Sequence, residues 1–532
     1  MGRWSKPRLA REQTFLFAPT LDEVIPEDDP VRLYHEVLWL FDWSDWEAHY
    51  DAYRGQPAIH PRLLVGLILY GLRLGIRSSR KLEDAARNRL DLMWLLEGRQ
   101  PDHTTIATFR TRFAAELKQL GRQLVSWLAA AEEVDPGLVA VDGTRVAANN
   151  SAGRVATAAT LERKIAAEQE AIERGLCELE VNDAAEAGQG SATVLPPHLQ
   201  RQADRLARLE VARQAAVAQA TAAAQRQAAK GSAKQGEEPP RRAVPTTDPE
   251  ARRLPNKDGG CRPNYTPVVA TEGRHGFIVD EVVNTTGDEV SELLGVVGRV
   301  QALREELSEE PSDPLCVLSD GAYQTGYHLQ EAERLGVDLV GPLAGVSQSL
   351  PAEVPQAQRG EPLPDSCLAE LPNNPSTHRW DRRCFAYDAA RDVYYCPLGE
   401  ELRFEKTQQA PRSEGLAPER VYRCRRCAGC AWRSRCVTSR NKLGRTIHRS
   451  SYEPYKERQR LKMQTAEAQA AYRRRSPLVE TVFGVVKGQF GVRQFLLRGR
   501  EKVSLEWRWV CLAYNIRKLV NLLRQGWLQL PA

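Results

Sequence analysis

The chain has 532 residues, 42% of them apolar, enough for roughly three or four domains of ~150 residues, each with a core of its own. Its longest apolar stretch, "LLVGLILYGLRLG" from Leu63, is broken by Arg73 well short of the ~20 residues that span a bilayer, and the basic N-terminus lacks the apolar segment of a secretory signal, so a cytoplasmic protein with no membrane partner is expected. The formal net charge of +5 is modest, but between Ser439 and Arg500 fifteen Lys or Arg stand against four Glu, an imbalance that favours a polyanionic partner.

In chain order, the first elements are helical. "HPRLLVGLILYGLRLG" has a helical apolar period with Pro61 at its first turn, "SSRKLEDAARNRLDLMWLL" opens on a serine cap, and "PDHTTIATFRTRFAAEL" supplies another capped helix. Helix, short turn, helix is the pattern of a helix-turn-helix module, in which Arg77, Arg80, Lys81, Arg87, Arg110 and Arg112 could approach DNA; a plain helical bundle reads the same way. From Leu138 the texture changes to short β-type runs: "LVAVDG", "YTPVVATEG", "FIVDEVVNTT", "LCVLSDG" and "VDLVGP". Helical segments precede each of the last two, which gives three strands, helix, strand, helix, strand, and predicts a mixed sheet flanked by helices.

Between the first two strands lie two Ala/Gln-rich helical segments, read as a hairpin or loose coiled coil, and a polar Pro-rich stretch read as a mobile linker. A long irregular region follows the fifth strand, and two helical segments close the chain. The predicted boundaries are 1–134 for a helical DNA-binding domain, 135–150 with 261–343 for the first part of the core, 151–260 for the hairpin and linker, 344–460 for an irregular cysteine-bearing insertion, and 461–532 for helices completing the core.

Two-metal phosphodiester chemistry needs carboxylates on rigid elements that converge on a pair of ions. Asp142 ends "LVAVD" and Asp320 ends "LCVLSD", each followed by glycine. If their strands are adjacent and parallel, both carboxylates emerge at one edge. Either Asp-Gly alone reads equally as a turn. Glu480, in "RRRSPLVETVFGVVKGQF", is an acid within an apolar and basic helix, flanked by Arg473, Arg474, Arg475 and Lys487; the alternative reading is a helix-start carboxylate behind Pro477.

Cys424, Cys427, Cys430 and Cys436 cluster, with Cys396 upstream in "YYCPLGEEL". Such spacing suits a closed tetrahedral structural zinc site better than disulfides; free thiols and an iron–sulfur cluster are the alternatives. The histidines show no metal-binding grouping, so His103, His275, His328 and His448 read as surface or capping residues. "KDGGC" lacks the ending of a phosphate-binding loop.

The trio "VDGTRV", "LSDGAYQT" and "RSPLVETVFGVVK", together with the helical region ahead of it, resembles the DDE transposases of bacterial insertion sequences, from about Phe15 to Asn521 and in the same order. The resemblance implies an RNase H-like fold with Asp142, Asp320 and Glu480 as the triad holding two Mg2+ or Mn2+ ions. It implies DNA contacts from Arg475, from Lys487 and from Tyr323, the aromatic residue after the second Asp. It also implies a zinc set of Cys396, Cys427, Cys430 and Cys436, with Cys424 as the alternate. The expected function is a transposase that binds the terminal inverted repeats of its element, cleaves there and transfers the strand to target DNA, working as a homodimer. The alternatives are a DNA-binding derivative without activity, or a metal-dependent nuclease that does not join ends.

Overall fold

A computed structural model of the chain describes residues 20–50, 57–151, 153–185, 196–229, 242–256, 259–307, 313–344, 354–374, 377–409, 418–438 and 443–530. They fall into two compact units, one of residues 1–131, 482–493 and 501–532 and the other of 132–481 and 494–500.

The first unit is helical. Its central helix, Pro61–Arg73, is buried from Pro61 to Leu72, as a helix with apolar residues on all sides must be. Pro61 fits its first turn because no backbone N–H is needed there, and the His60 ring accepts the next N–H, from Arg62, at 3.1 Å. The buried Arg62 lies over the Trp39 ring at 3.8 Å and pairs with Glu97 at 3.3 Å. Most of the last helix, Arg500–Arg524, belongs to this unit. There Glu506 pairs with Arg77 at 2.9 Å, and Trp509 donates its ring N–H to the Arg110 carbonyl at 3.1 Å. The sequence reading gave these C-terminal residues to the catalytic core. Their buried face is instead committed to the helical unit.

The second unit is built on a seven-stranded mixed sheet. Its strands are β1 (Leu138–Gly143) and β2 (Val146–Ala147), then, after a separate two-stranded pair β3 (Val155–Ala156) and β4 (Val244–Pro245), β5 (Arg252–Pro255), β6 (Cys261–Glu272), β7 (Ile278–Asn284), β8 (Cys316–Leu318) and β9 (Asp338–Val340). The order is β2-β6-β1-β8-β9, with β5 and β7 also pairing β6. β1 runs antiparallel to β6 and parallel to β8, and β8 is parallel to β9. Helices Leu293–Leu307 and Gly326–Arg334 supply the crossovers that parallel strands require. Val139, Val141, Val268, Val317 and Leu339 form one core with Val296, Val297, Val300 and Leu329 of those helices. This is the mixed RNase H-like α/β arrangement expected from the order of strands and helices.

Two readings change. The stretch expected to be a linker contributes β4 and β5, the latter paired with β6; residues 232–241 and 257–258 of it lie outside the described residues. The region expected to be irregular carries a five-stranded antiparallel sheet of β10 (Ala386–Asp388), β11 (Val393–Tyr395), β12 (Glu401–Gln409), β13 (Pro418–Cys424) and β14 (Thr446–Ser450), in sequential order. Two of its strands have only three residues, and the longest, "ELRFEKTQQ", is charged and exposed along most of its length, which hides the alternation that marks a sheet. The expected helical pair is present as Ala158–Ala185 and Pro197–Ala229, joined through Leu161, Ile165, Leu209, Ala212 and Ala216. No helix among the described residues is long and apolar enough to cross a membrane.

Candidate active site

The ladder between β1 and β8 places the two aspartates. Leu138 pairs with Cys316, Val139 with Val317 and Ala140 with Leu318, and the same offset carries Asp142 to Asp320. Asp320 lies two residues past the end of β8, so the extended register brings both aspartates to the same edge of the sheet, where Glu289 feels the charge of each. Asp142 is still in the sheet, paired with Val269 on β6, and Gly143 is paired with Val268. Asp142-Gly143 is therefore not a turn. Glycine is needed at 143 for space: a Cβ there would collide with the carboxylate of Glu289.

Glu289 is the acid that sequence reading missed. It opens the short helical turn Glu289–Glu292 ahead of the helix Leu293–Leu307. Burial raises its pKa first, and the negative charges of Asp142 and Asp320 raise it further. In "GDEVSELL" it stands among other acids at a helix start, where the helix dipole explains them all. The usable signal was Gly143, a glycine whose position calls for a close neighbour.

The surroundings are polar atoms held in place. Asp142 accepts the Gly143 N–H at 2.8 Å and pairs with Arg475 Nη2 at 2.8 Å, the two side chains being 20% and 13% exposed. Asp320 accepts the Ala322 N–H at 2.9 Å. Tyr323 is fully buried in the sheet core, its hydroxyl has no hydrogen-bond partner among the described residues, and its pKa is raised by burial and then by Glu289, Asp142 and Asp320. His328, expected as a surface or capping residue, is buried, and its Nδ1 lies 2.9 Å from the Tyr323 carbonyl. Desolvation lowers its pKa, which favours the neutral ring donating that bond.

Glu480 is exposed on the helix Arg475–Gly484, whose first residue is the arginine that reaches Asp142. Five residues separate them, ~7.5 Å along the axis and about 140° around it. Lys487 is half-buried on the π-helical turn Val485–Gln489, which continues that helix. In the helical unit Arg80 is exposed, whereas Arg110 is turned inward. Arg110 donates to the Arg77 carbonyl, and burial lowers its pKa to about 10.

The cysteines meet elsewhere in the second unit. Cys396, Cys424, Cys427, Cys430 and Cys436 line one cavity of about 250 Å³, and all but Cys430 are buried in the core of the five-stranded sheet, beside Trp380 and Tyr422. The Arg445 N–H donates to Cys427 Sγ at 3.4 Å. Gly444, at φ +99°, makes that approach possible, since a Cβ there would strike the Cys424 carbonyl and lie 3.3 Å from the same sulfur. A hydrogen bond from the Cys424 thiol lowers the pKa of Cys427, and burial raises that of Cys436 to about 12.

The donor sets match two kinds of ion. Carboxylates at the sheet edge are hard oxygen ligands, and the thiols of the cavity are soft ones. Among the described residues, no group of three or more His, Cys, Asp or Glu side chains is arranged to hold a metal ion as the side chains stand.

Two family comparisons bear on this geometry. The family described as Transposase DDE domain matches residues 395–520, and the family described as Transposase domain (DUF772) matches residues 19–112. Together the two matches support a DDE transposase of an insertion sequence. The DDE match spans the cysteine cavity, Arg475, Glu480 and Lys487. The other covers the helical unit up to Arg112, including Arg80 and Arg110. Among curated proteins no match was found. Asp142, Glu289 and Asp320 lie between the two matched stretches.

Proposed function

We propose that this transposase binds the terminal inverted repeats of its own insertion sequence, cuts the DNA there and joins the freed 3′ end to target DNA. The observation that carries the reading is the parallel pairing of β1 with β8, which ends two residues short of Asp142 and Asp320, in a chain with a DDE family match. Asp142, Asp320 and Glu480 would hold two Mg2+ or Mn2+ ions. When bound, these activate the attacking oxygen and stabilise the leaving one.

Arg475 neutralises part of the charge at Asp142 and keeps that carboxylate oriented. Glu289 adds a further carboxylate beside the two aspartates, and His328 with the buried Tyr323 fixes the loop that follows Asp320. Water attacks first and releases a 3′-hydroxyl; that hydroxyl then attacks a target phosphate in line, with no covalent enzyme intermediate. Arg80, Lys487 and the basic 439–500 stretch would contact DNA phosphates, and pairing two ends would require a homodimer. Cys396, Cys427, Cys430 and Cys436, with Cys424 as the alternate, would hold a structural zinc, because five thiols line one cavity.

The test is a strand-transfer assay on a duplex that carries the element's ends and an unrelated target duplex. Metal-dependent nicking followed by joining is the expected result. Binding without nicking would select an inactive derivative, and nicking without joining would select a nuclease.

A further inference from the structure

Where the insertion helices meet the rest of the second unit, a cavity of about 700 Å³ is lined by Arg154, Lys164, Arg205, Arg208 and Arg498 and by no acid. The five cations come from four segments. Arg154 precedes β3, Lys164 lies on the helix Ala158–Ala185, Arg205 and Arg208 lie on the helix Pro197–Ala229, and Arg498 follows the helical turn Val485–Gln489. All five are exposed. Arg205 pairs with Glu168 at 2.9 Å, and Arg498 donates to the Asn149 carbonyl at 2.7 Å. Arg154, Lys164 and Arg208 have no ion-pair partner among the described residues.

A solvated basic face would spread its charges apart. Here four segments bring them to one concavity, whose walls concentrate the positive potential. The scaffold beneath is packed: Leu209 lines the cavity and belongs to the cluster of Leu161, Ile165, Ala212 and Val244. Thr246 and Thr247 add hydroxyl groups to the lining, and the Thr246 N–H is held by the Arg154 carbonyl at 3.0 Å. The segment bearing Arg498 is tied down as well. Gly499 N–H donates to Asp248 at 3.2 Å and Arg500 N–H to Glu250 at 2.7 Å.

The cavity is also close to the acids. Arg498 is bonded to Asn149, seven residues after Asp142 along β1 and β2. That stretch spans at most about 25 Å, roughly seven base pairs of duplex. We propose that this cavity grips the sugar–phosphate backbone of the bound duplex within about seven base pairs of the bond to be cut, which makes the inserted helices a DNA clamp. The inference rests on the proposed reading of the protein as one that cleaves DNA ends.

The experiment compares the full-length protein with the triple variant Arg154→Ala, Lys164→Ala, Arg208→Ala on the same end-bearing duplex. Binding is measured across a salt series, together with hydroxyl-radical footprints. Loss of three phosphate contacts lowers the slope of log affinity against log salt by about 2.7, so wild type should lose about 40-fold more affinity than the variant between 50 and 200 mM salt. Protection in the first seven or so base pairs should disappear, and Arg208→Glu alone should weaken it. An unchanged slope with unchanged protection, in a preparation whose wild type binds and nicks the duplex, would overturn the clamp and leave the transposase reading standing. A wild type that neither binds nor nicks the duplex would overturn both.

Discussion

The carboxylate edge and the cysteine cavity lie in the same unit but are built in opposite ways. At the edge, Asp142, Asp320 and Glu289 come from distant stretches, and only sheet register and the gap at Gly143 bring them together. In the cavity, four of the five cysteines fall between Cys424 and Cys436, and most of the sulfurs are part of the hydrophobic core. The edge gathers like charges that oppose folding, and the cavity gathers groups that a core or a metal welcomes. Substitution at the edge should therefore remove chemistry and spare the fold, and substitution in the cavity should do the reverse.

The largest expected effect is at the edge. Asp320→Asn keeps an oxygen for the Ala322 N–H but halves the charge available from the aspartate pair. DNA cleavage should fall at least about a hundredfold, with thermal midpoint and end binding little changed. A large drop in midpoint would show that the edge is structural and erase the contrast. In the cavity, stripping zinc with a strong chelator, or Cys427→Ser, should lower the midpoint by about 5–10 °C, the size expected for losing a ligand held at about a hundred times its Kd. Metal analysis should find one zinc per chain before treatment and none after. A midpoint that ignores the chelator would leave the cavity with only its apolar packing.

How much of this could be read from the residues follows the same division. The cysteine cluster was visible because its spacing is local, yet the sheet that carries it was not, since β10 to β14 are short and charged and two of their connections are long. The aspartates stood out through matching "VDG" and "SDG" contexts, and the alternation of small apolar runs with helices was enough to expect a mixed sheet flanked by helices. Glu289 was hidden because an acid at a helix start has a sufficient local explanation. Arg110 looked like a surface cation because its burial against the Arg77 carbonyl depends on packing that no periodicity reveals. The burial of Tyr323, expected to meet DNA, and of His328 was hidden for the same reason: their loop folds inward onto the core.

Smaller effects sharpen the picture of the edge. Gly143→Ala should cost about 1–3 kcal/mol, because the added Cβ meets the Glu289 carboxylate in a packed setting; urea unfolding measures it, and an unchanged midpoint would mean that Glu289 moves aside freely. Glu289→Gln tests the crowding of charge. In the folded chain Glu289 holds its proton more tightly than in the unfolded chain, so its contribution to stability is lost as pH rises through its raised pKa. The variant escapes that loss. With divalent ions removed by chelation, it should be the more stable protein at neutral pH, and the difference should close below pH 4.5, the ordinary glutamate value. A difference that does not vary with pH would place Glu289 away from the other acids.

The account stands most directly on Glu480, the acid that lies off the sheet, on the helix that begins at Arg475. The decisive measurement is cleavage of an end-bearing duplex in Mg2+ by wild type and Glu480→Ala, with both proteins at matched occupancy of the DNA. The account predicts bound but uncut ends for the variant. Cleavage at the wild-type rate would contradict the triad.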